Sequence, residues 1–242
     1  MLNTDPNKFP EYGYCLYRDV FDQAQVEKMQ DVLEVATLAG VDELPKSYCE
    51  PHTTDAFWLE TCIQPRLLDA VESVLGPNLI LVFSSMFIKQ PRDENAVCWH
   101  QDNTYWPSVH GTEVATVWLA LDDVAEENAP MQLIPRSHQG YSQLATAKAG
   151  EKEWLSKKVA ITPQQEASAV SMTMSAGSLS IHDSYLIHGG GINHSDRRRA
   201  GYTIRFCSTD TAWVDVEEHP IPVYLVRGEP GLRGEDYTDL RP

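Results

Sequence analysis

The segment Cys98-Trp99-His100-Gln101-Asp102-Asn103 places an imidazole and a carboxylate two residues apart. In extended backbone such residues point to the same side, so His100 and Asp102 can face one cation. A second segment supplies a partner. His188 ends an apolar run and is followed by Gly189, Gly190 and Gly191, whose missing side chains let backbone approach closely. Two imidazoles and one carboxylate on one side of a six-coordinate ferrous ion leave the opposite positions open, a ligand set suited to oxygenase chemistry. Arg199 begins a run whose alternation puts Arg199, Gly201, Thr203 and Arg205 on one face and Ala200, Tyr202, Ile204 and Phe206 on the other. A guanidinium among small residues can hold a carboxylate through two parallel hydrogen bonds.

Other histidines compete less well. His194-Ser195-Asp196 is flanked by Arg197, Arg198 and Arg199, a cationic setting that disfavours a divalent ion. His182 and Asp183 are adjacent and would face opposite sides of a strand. His52, His110, His138 and His219 have no ligand-like partner at useful spacing and read as structural or surface residues.

The elements that must carry these groups follow from periodicity. Asp22 and Gln25 form a capping box, with Phe21 and Val26 as a hydrophobic staple, ahead of a helix whose face is Val26, Met29, Leu33 and Ala36. A second helix is expected over Pro65 to Leu75, stopped by Gly76-Pro77. From Leu79 onward the pattern becomes short apolar or alternating runs: Leu79 to Lys89, Val97 to Asp102, Glu113 to Leu121, Met131 to Pro135, Val170 to Met174, Ser178 to His182, Tyr185 to His188 and Ala200 to Cys207. Such strands without intervening helices predict a sandwich or barrel. One further helix is expected over Ala145 to Val159, and the last residues, from Arg227, read as an irregular acidic tail.

The chain is therefore expected to be a single domain over 1–242, with a helical part at about 1–78, a barrel at about 79–207 and a tail at 208–242. Its 242 residues carry 19 Lys+Arg against 35 Asp+Glu, a net charge of −16 that repels nucleic acid. No apolar run approaches the ~20 residues of a membrane span, and the N-terminal residues show no secretory signal, so a cytoplasmic protein is expected. Five cysteines without a C-x-x-C pair argue for free buried thiols rather than a disulfide framework or a thiolate zinc site.

Taken in order, His100-x-Asp102 and His188-Gly-x-Gly-x-Asn193-x-Ser195-x-x-x-Arg199 resemble the phytanoyl-CoA dioxygenase family of iron(II)- and 2-oxoglutarate-dependent oxygenases. Phe9-x-x-x-Gly13-Tyr14, Trp118-Leu-Ala-Leu-Asp122, Ile134-Pro135-x-Ser137-His138 and Gly177-x-Leu179 support the resemblance, which spans about Phe9 to Phe206. It implies a mainly β fold with flanking helices, a double-stranded β-helix of the jelly-roll or cupin-like kind. It implies Fe(II) held by His100, Asp102 and His188, the distal carboxylate of 2-oxoglutarate on Arg199, and cosubstrate contacts from Trp118 and Met86, with O2 as the oxidant. A carboxylate at Asp102 argues against the related halogenases, which have a small residue there.

The implied reaction is hydroxylation of a small polar metabolite or natural-product intermediate, with 2-oxoglutarate decarboxylated to succinate. Desaturation, cyclisation and epimerisation are alternatives at the same iron site; a zinc hydrolase or a catalytically silent barrel are alternatives of other classes. Asn103, Tyr105 and Trp106 follow the metal motif and are candidate substrate contacts. Arg205, on the face of Arg199, is a candidate for the other end of the cosubstrate or an anionic group of the substrate. The sequence leaves the oligomeric state open.

Overall fold

A computed structural model of the protein describes residues 2–38, 47–231 and 236–241. The first long helix runs Gln23–Leu38. Asp22 N donates to Gln25 Oε1 and Gln25 N to Asp22 Oδ1, each at 2.9 Å, which completes the expected capping box. Phe21, Val26, Met29 and Leu33 are buried in one apolar cluster, while the side chain of Ala36 lies outside the described residues. The second helix, Pro65–Leu75, buries Leu68, Val71 and Leu75 in the same cluster and stops at Gly76, whose φ of 84° is open to glycine.

Strands β1 (Tyr14–Tyr17), β2 (Ser47–Cys49), β3 (Leu79–Lys89), β6 (Val114–Ala120), β11 (Leu179–Asp183), β13 (Arg199–Ser208), β15 (Tyr224–Arg227) and β16 (Thr238–Asp239) build the major sheet. Its order is β1-β11-β6-β13-β3-β15-β16, with β2 also on β3. A minor sheet has the order β10-β7-β12-β4, from Val170–Ser171, Met131–Leu133, His188–Gly190 and Val97–His100. Two small ribbons join β5 (Val109–Gly111) to β14 (Ala212–Val214) and β8 (Thr146–Lys148) to β9 (Lys157–Val159).

Alternation gives the major sheet two unlike faces. Met86, Ile88, Val117, Leu119, Ile181, Ala200, Tyr202, Ile204 and Phe206 join the helices in the main apolar cluster. The opposite face turns Thr116, Trp118, His182, Arg199, Thr203 and Arg205 toward the minor sheet, and a cavity lies between the two. The fold is a double-stranded β-helix whose two sheets share no continuous ladder among the described residues.

Three expectations are corrected. The helix expected over Ala145 to Val159 is the β8–β9 ribbon: Gly150 interrupts the run, and Ala96 bridges Glu153 while its carbonyl accepts from Trp154 N. That tertiary pairing outweighs the helical preference of an Ala-, Lys- and Glu-rich stretch. The strand expected over Tyr185 to His188 begins only at His188, after a turn in which Tyr185 N donates to Asp183 Oδ1 at 2.8 Å. Finally, the barrel exceeds 79–207 at both ends, because β1 pairs with β11 and β15 with β3. The tail is thus partly sheet.

Candidate active site

Strand β4 ends at His100, and Asp102 opens a 3-10 turn, Asp102–Tyr105. Gln101 between them stays extended, so the two side chains still emerge on one side. His188, the first residue of β12, pairs with His100 across the minor sheet. The two rings lie 4.0 Å apart, centre to centre. Of the three glycines that follow, Gly189 is the one that a close approach requires: a Cβ there would stand 2.9 Å from the carbonyl oxygen of Val97.

His100, Asp102 and His188 are all buried, and they can present one ligand atom each within 4.8 Å of one another. Asp102 Oδ1 lies 3.5 Å from His100 Nε2 and 3.6 Å from His188 Nε2. On the far side of each ring, Nδ1 meets a carbonyl two residues earlier, Cys98 O at 2.8 Å and Leu186 O at 2.9 Å. A carbonyl only accepts, so each Nδ1 carries the hydrogen and each Nε2 turns a lone pair toward Asp102. Burial, and then the neighbouring His188, push the His100 pKa down, which keeps its ring neutral and able to ligate. Burial would raise the Asp102 pKa, but any proton on the facing side of the His188, His100 or His182 ring lies against its carboxylate, and this holds that pKa well below the usual carboxylate range. Two imidazoles and a carboxylate, converging in a buried site, fit a divalent iron centre.

Arg199 stands at the other end of the cavity. Its neighbours in the basic run are engaged at the surface, Arg197 with Glu127 at 2.6 Å and Arg198 with Asp122 at 2.8 Å. Arg199 is 3% exposed and pairs with no carboxylate among the described residues. Its Nε has no hydrogen-bond partner, NH1 makes a long 3.4 Å contact to Phe87 O, and the guanidinium sits 5.4 Å from the Trp118 ring. Burial pulls its pKa down to about 10, so it remains cationic at neutral pH. A buried, unpaired cation is costly to the free protein and is relieved by an anion. The indole of Trp118 lies over Gly201, where any Cβ would collide with it.

The structure therefore brings His100, Asp102, His188, Trp118, Arg199 and Arg205 to one cavity. Tyr105 and Trp106 border an adjoining chamber that shares Arg205. Two expected contacts lie elsewhere. Met86 is fully buried on the helix side of β3, because Phe87 and Lys89, not Met86, share the inward face with Arg199. Asn103 borders a different cavity, beside His110 and Ser184. Two residues of the site were not among the expected contacts: Thr116 was unmarked, and His182 was set aside because Asp183 beside it would face the other way. Thr116 Oγ1 donates to Asp102 Oδ2 at 2.5 Å, and His182 Nε2 lies 3.5 Å from the same oxygen. Thr116 shares its strand face with Trp118, which was a usable signal; His182 is brought in only by the register that sets it opposite Thr116.

Comparisons with known proteins place the chain in a family. The family model described as phytanoyl-CoA dioxygenase matches residues 9–201. The peroxisomal phytanoyl-CoA dioxygenase of Bos taurus is 27% identical over 243 residues, covering 90% of this chain and 72% of that protein. Among solved structures, the apo form of the non-heme monooxygenase ThoJ superposes with a TM-score of 0.78 at 23% identity, covering 97% of this chain and 87% of the other. The alpha ketoglutarate dependent epimerase SnoN gives a TM-score of 0.68 at 19% identity, covering 86% and 83%. These two likenesses concern the fold. With a family match over most of its length, and a buried two-histidine, one-carboxylate centre within that match, the chain belongs to the phytanoyl-CoA dioxygenase family of iron(II)- and 2-oxoglutarate-dependent oxygenases.

Proposed function

We propose that the protein hydroxylates a small polar metabolite or natural-product intermediate, coupled to decarboxylation of 2-oxoglutarate to succinate and CO2. The observation that carries this reading is the convergence of His100 Nε2, His188 Nε2 and Asp102 on one point, in the same cavity as a buried guanidinium without a carboxylate partner. A zinc hydrolase has no use for Arg199, and a silent barrel has no reason to keep it buried and unpaired.

His100, Asp102 and His188 would hold iron(II), which supplies dioxygen activation coupled to oxidation of the oxoacid. The protein's part is positioning. The Cys98 and Leu186 carbonyls fix the ligand tautomers, and the Thr116 hydroxyl occupies Asp102 Oδ2 and leaves Oδ1 toward the imidazoles. Arg199 would take the distal carboxylate of 2-oxoglutarate with Trp118 as the flat wall beside it. Behind the cavity, the apolar face of β13 packs against the helices and fixes the strand that carries Arg199.

No helix among the described residues is long and apolar enough to cross a membrane. Cys15, Cys62, Cys98 and Cys207 are buried free thiols, which suits a reducing compartment such as the cytoplasm.

The test is anaerobic addition of iron(II) and 2-oxoglutarate. A visible charge-transfer absorption band, followed by succinate release in air, is the expected result; absence of both would refute the reading. Product analysis with a turned-over substrate then separates hydroxylation from epimerisation, desaturation and ring closure.

A further inference from the structure

Arg205 is the second buried cation on the inner face of β13, and nothing in the proposed cosubstrate site uses it. It is 7% exposed, its Nε has no hydrogen-bond partner, and its NH1 makes only a 3.5 Å contact to Thr203 O. No carboxylate lies within ion-pair distance among the described residues. Trp106 lies 5.7 Å from the guanidinium and is itself packed 5.8 Å from Phe83. Through the register, Arg205 is opposite Thr116, and Thr116 is opposite His182, so Arg205 is in the row that supports Asp102.

The two arginines stand at different heights along β13. Six residues of strand separate Arg199 from Arg205, about 20 Å between their Cα atoms, and the Trp118 indole lies over Gly201 between them. Arg205 borders both the metal cavity and a chamber of about 320 Å³ whose wall includes Phe83, Tyr105, Trp106, Glu50 and Glu218. That volume is at the lower end of small-molecule sites. The chamber sets one cation against two carboxyl groups. Burial raises the Glu50 pKa, against the opposing pull of the Ser84 N–H and of Arg205.

We propose that Arg205 is the specificity anchor for the organic substrate, binding its carboxylate, and that the substrate is an amino-acid-sized zwitterion whose ammonium group faces Glu50 and Glu218. This deepens the oxygenase reading and rests on it. A dianion is repelled by the two carboxyl groups, and a purely cationic amine leaves the guanidinium unpaired.

The experiment uses the Ni(II)-loaded full chain. Calorimetry gives the 2-oxoglutarate affinity of wild type, Arg205→Gln, Arg205→Lys and Arg199→Gln. Melting-temperature shifts at saturating 2-oxoglutarate then give binding of the twenty standard amino acids, their methyl esters and their decarboxylated amines. Both Arg205 variants are expected to keep 2-oxoglutarate affinity within twofold, which also shows that they fold, while Arg199→Gln loses at least thirtyfold. At least one amino acid is expected to bind wild type, with a tenfold or greater loss in its ester, in its amine and in Arg205→Gln, and a smaller loss in Arg205→Lys. A tenfold loss of 2-oxoglutarate affinity in Arg205→Gln would assign this arginine to the cosubstrate and overturn the proposal. So would equal binding of esters or amines, or no binding by any amino acid. Failure of wild type to bind 2-oxoglutarate would instead refute the underlying oxygenase reading.

Discussion

Thr116 Oγ1 sits 2.5 Å from Asp102 Oδ2, so the carboxylate that faces two imidazoles through Oδ1 is held from behind by a hydroxyl on the major sheet. Partners of this kind orient a ligand without touching the ion. Thr116→Val keeps the shape and removes the donor, and should weaken Ni(II) or Fe(II) affinity by about 10–100-fold. Chelator competition measures it. Thr116→Ser should recover most of the loss.

Arg199 should affect stability and binding in opposite directions. Without an anion its buried charge is uncompensated, so Arg199→Met should raise the melting temperature of the anion-free protein. The same variant should lose the upward shift that 2-oxoglutarate gives wild type, a shift that follows from binding to the folded state alone. Thermal melts with and without 2-oxoglutarate read both effects.

Gly201 has no room for a side chain, because the Trp118 indole covers it. Gly201→Ala should cost on the order of 1–3 kcal/mol by overpacking and displace the ring from beside Arg199. Near-ultraviolet circular dichroism should change, and 2-oxoglutarate affinity should fall at least tenfold.

Asp183 gives a dependence on pH. Burial raises its pKa from 3.8 to about 7, with the Tyr185 N–H opposing. Between those values the folded chain binds more protons than the unfolded one, so its contribution to stability is full below about pH 4 and declines as pH rises to about 7. Asp183→Asn keeps the acceptor for Tyr185 and removes the charge. It should stabilise the protein at pH 8 relative to wild type, by an amount on the order of 4 kcal/mol, and show little difference at pH 4. Urea denaturation at the two pH values checks this.

The clustering of His100, Asp102 and His188, with Arg199 in the same cavity, was legible in the sequence. Alternation brings His100 and Asp102 to one side, and residue type identifies His188 and Arg199. Thr116 was within reach of the same reasoning, since it shares a strand face with Trp118, but His182 was not, because its place depends on the pairing of β6 with β11, a register between segments distant in sequence. Met86 was misplaced for want of the β3–β13 register, in which Arg199 faces Lys89 and so sends Met86 outward. The two long helices showed themselves through caps and periodicity. The β8–β9 ribbon did not, because Ala, Lys and Glu favour a helix and only contact with Ala96 overrules them.

The far edge of β3 is covered by two segments, β2 against Ser85, Met86 and Phe87, and β15 against Leu79, Ile80 and Leu81. One precedes β3 in the sequence and the other comes long after it. A nascent chain leaving the ribosome therefore carries half of a strongly apolar edge without its cover until Arg227 has emerged, and pairing across such a separation is slow. During that interval Leu79 to Leu81 are the place where two newborn chains would pair with one another, and where a chaperone would have most to shield.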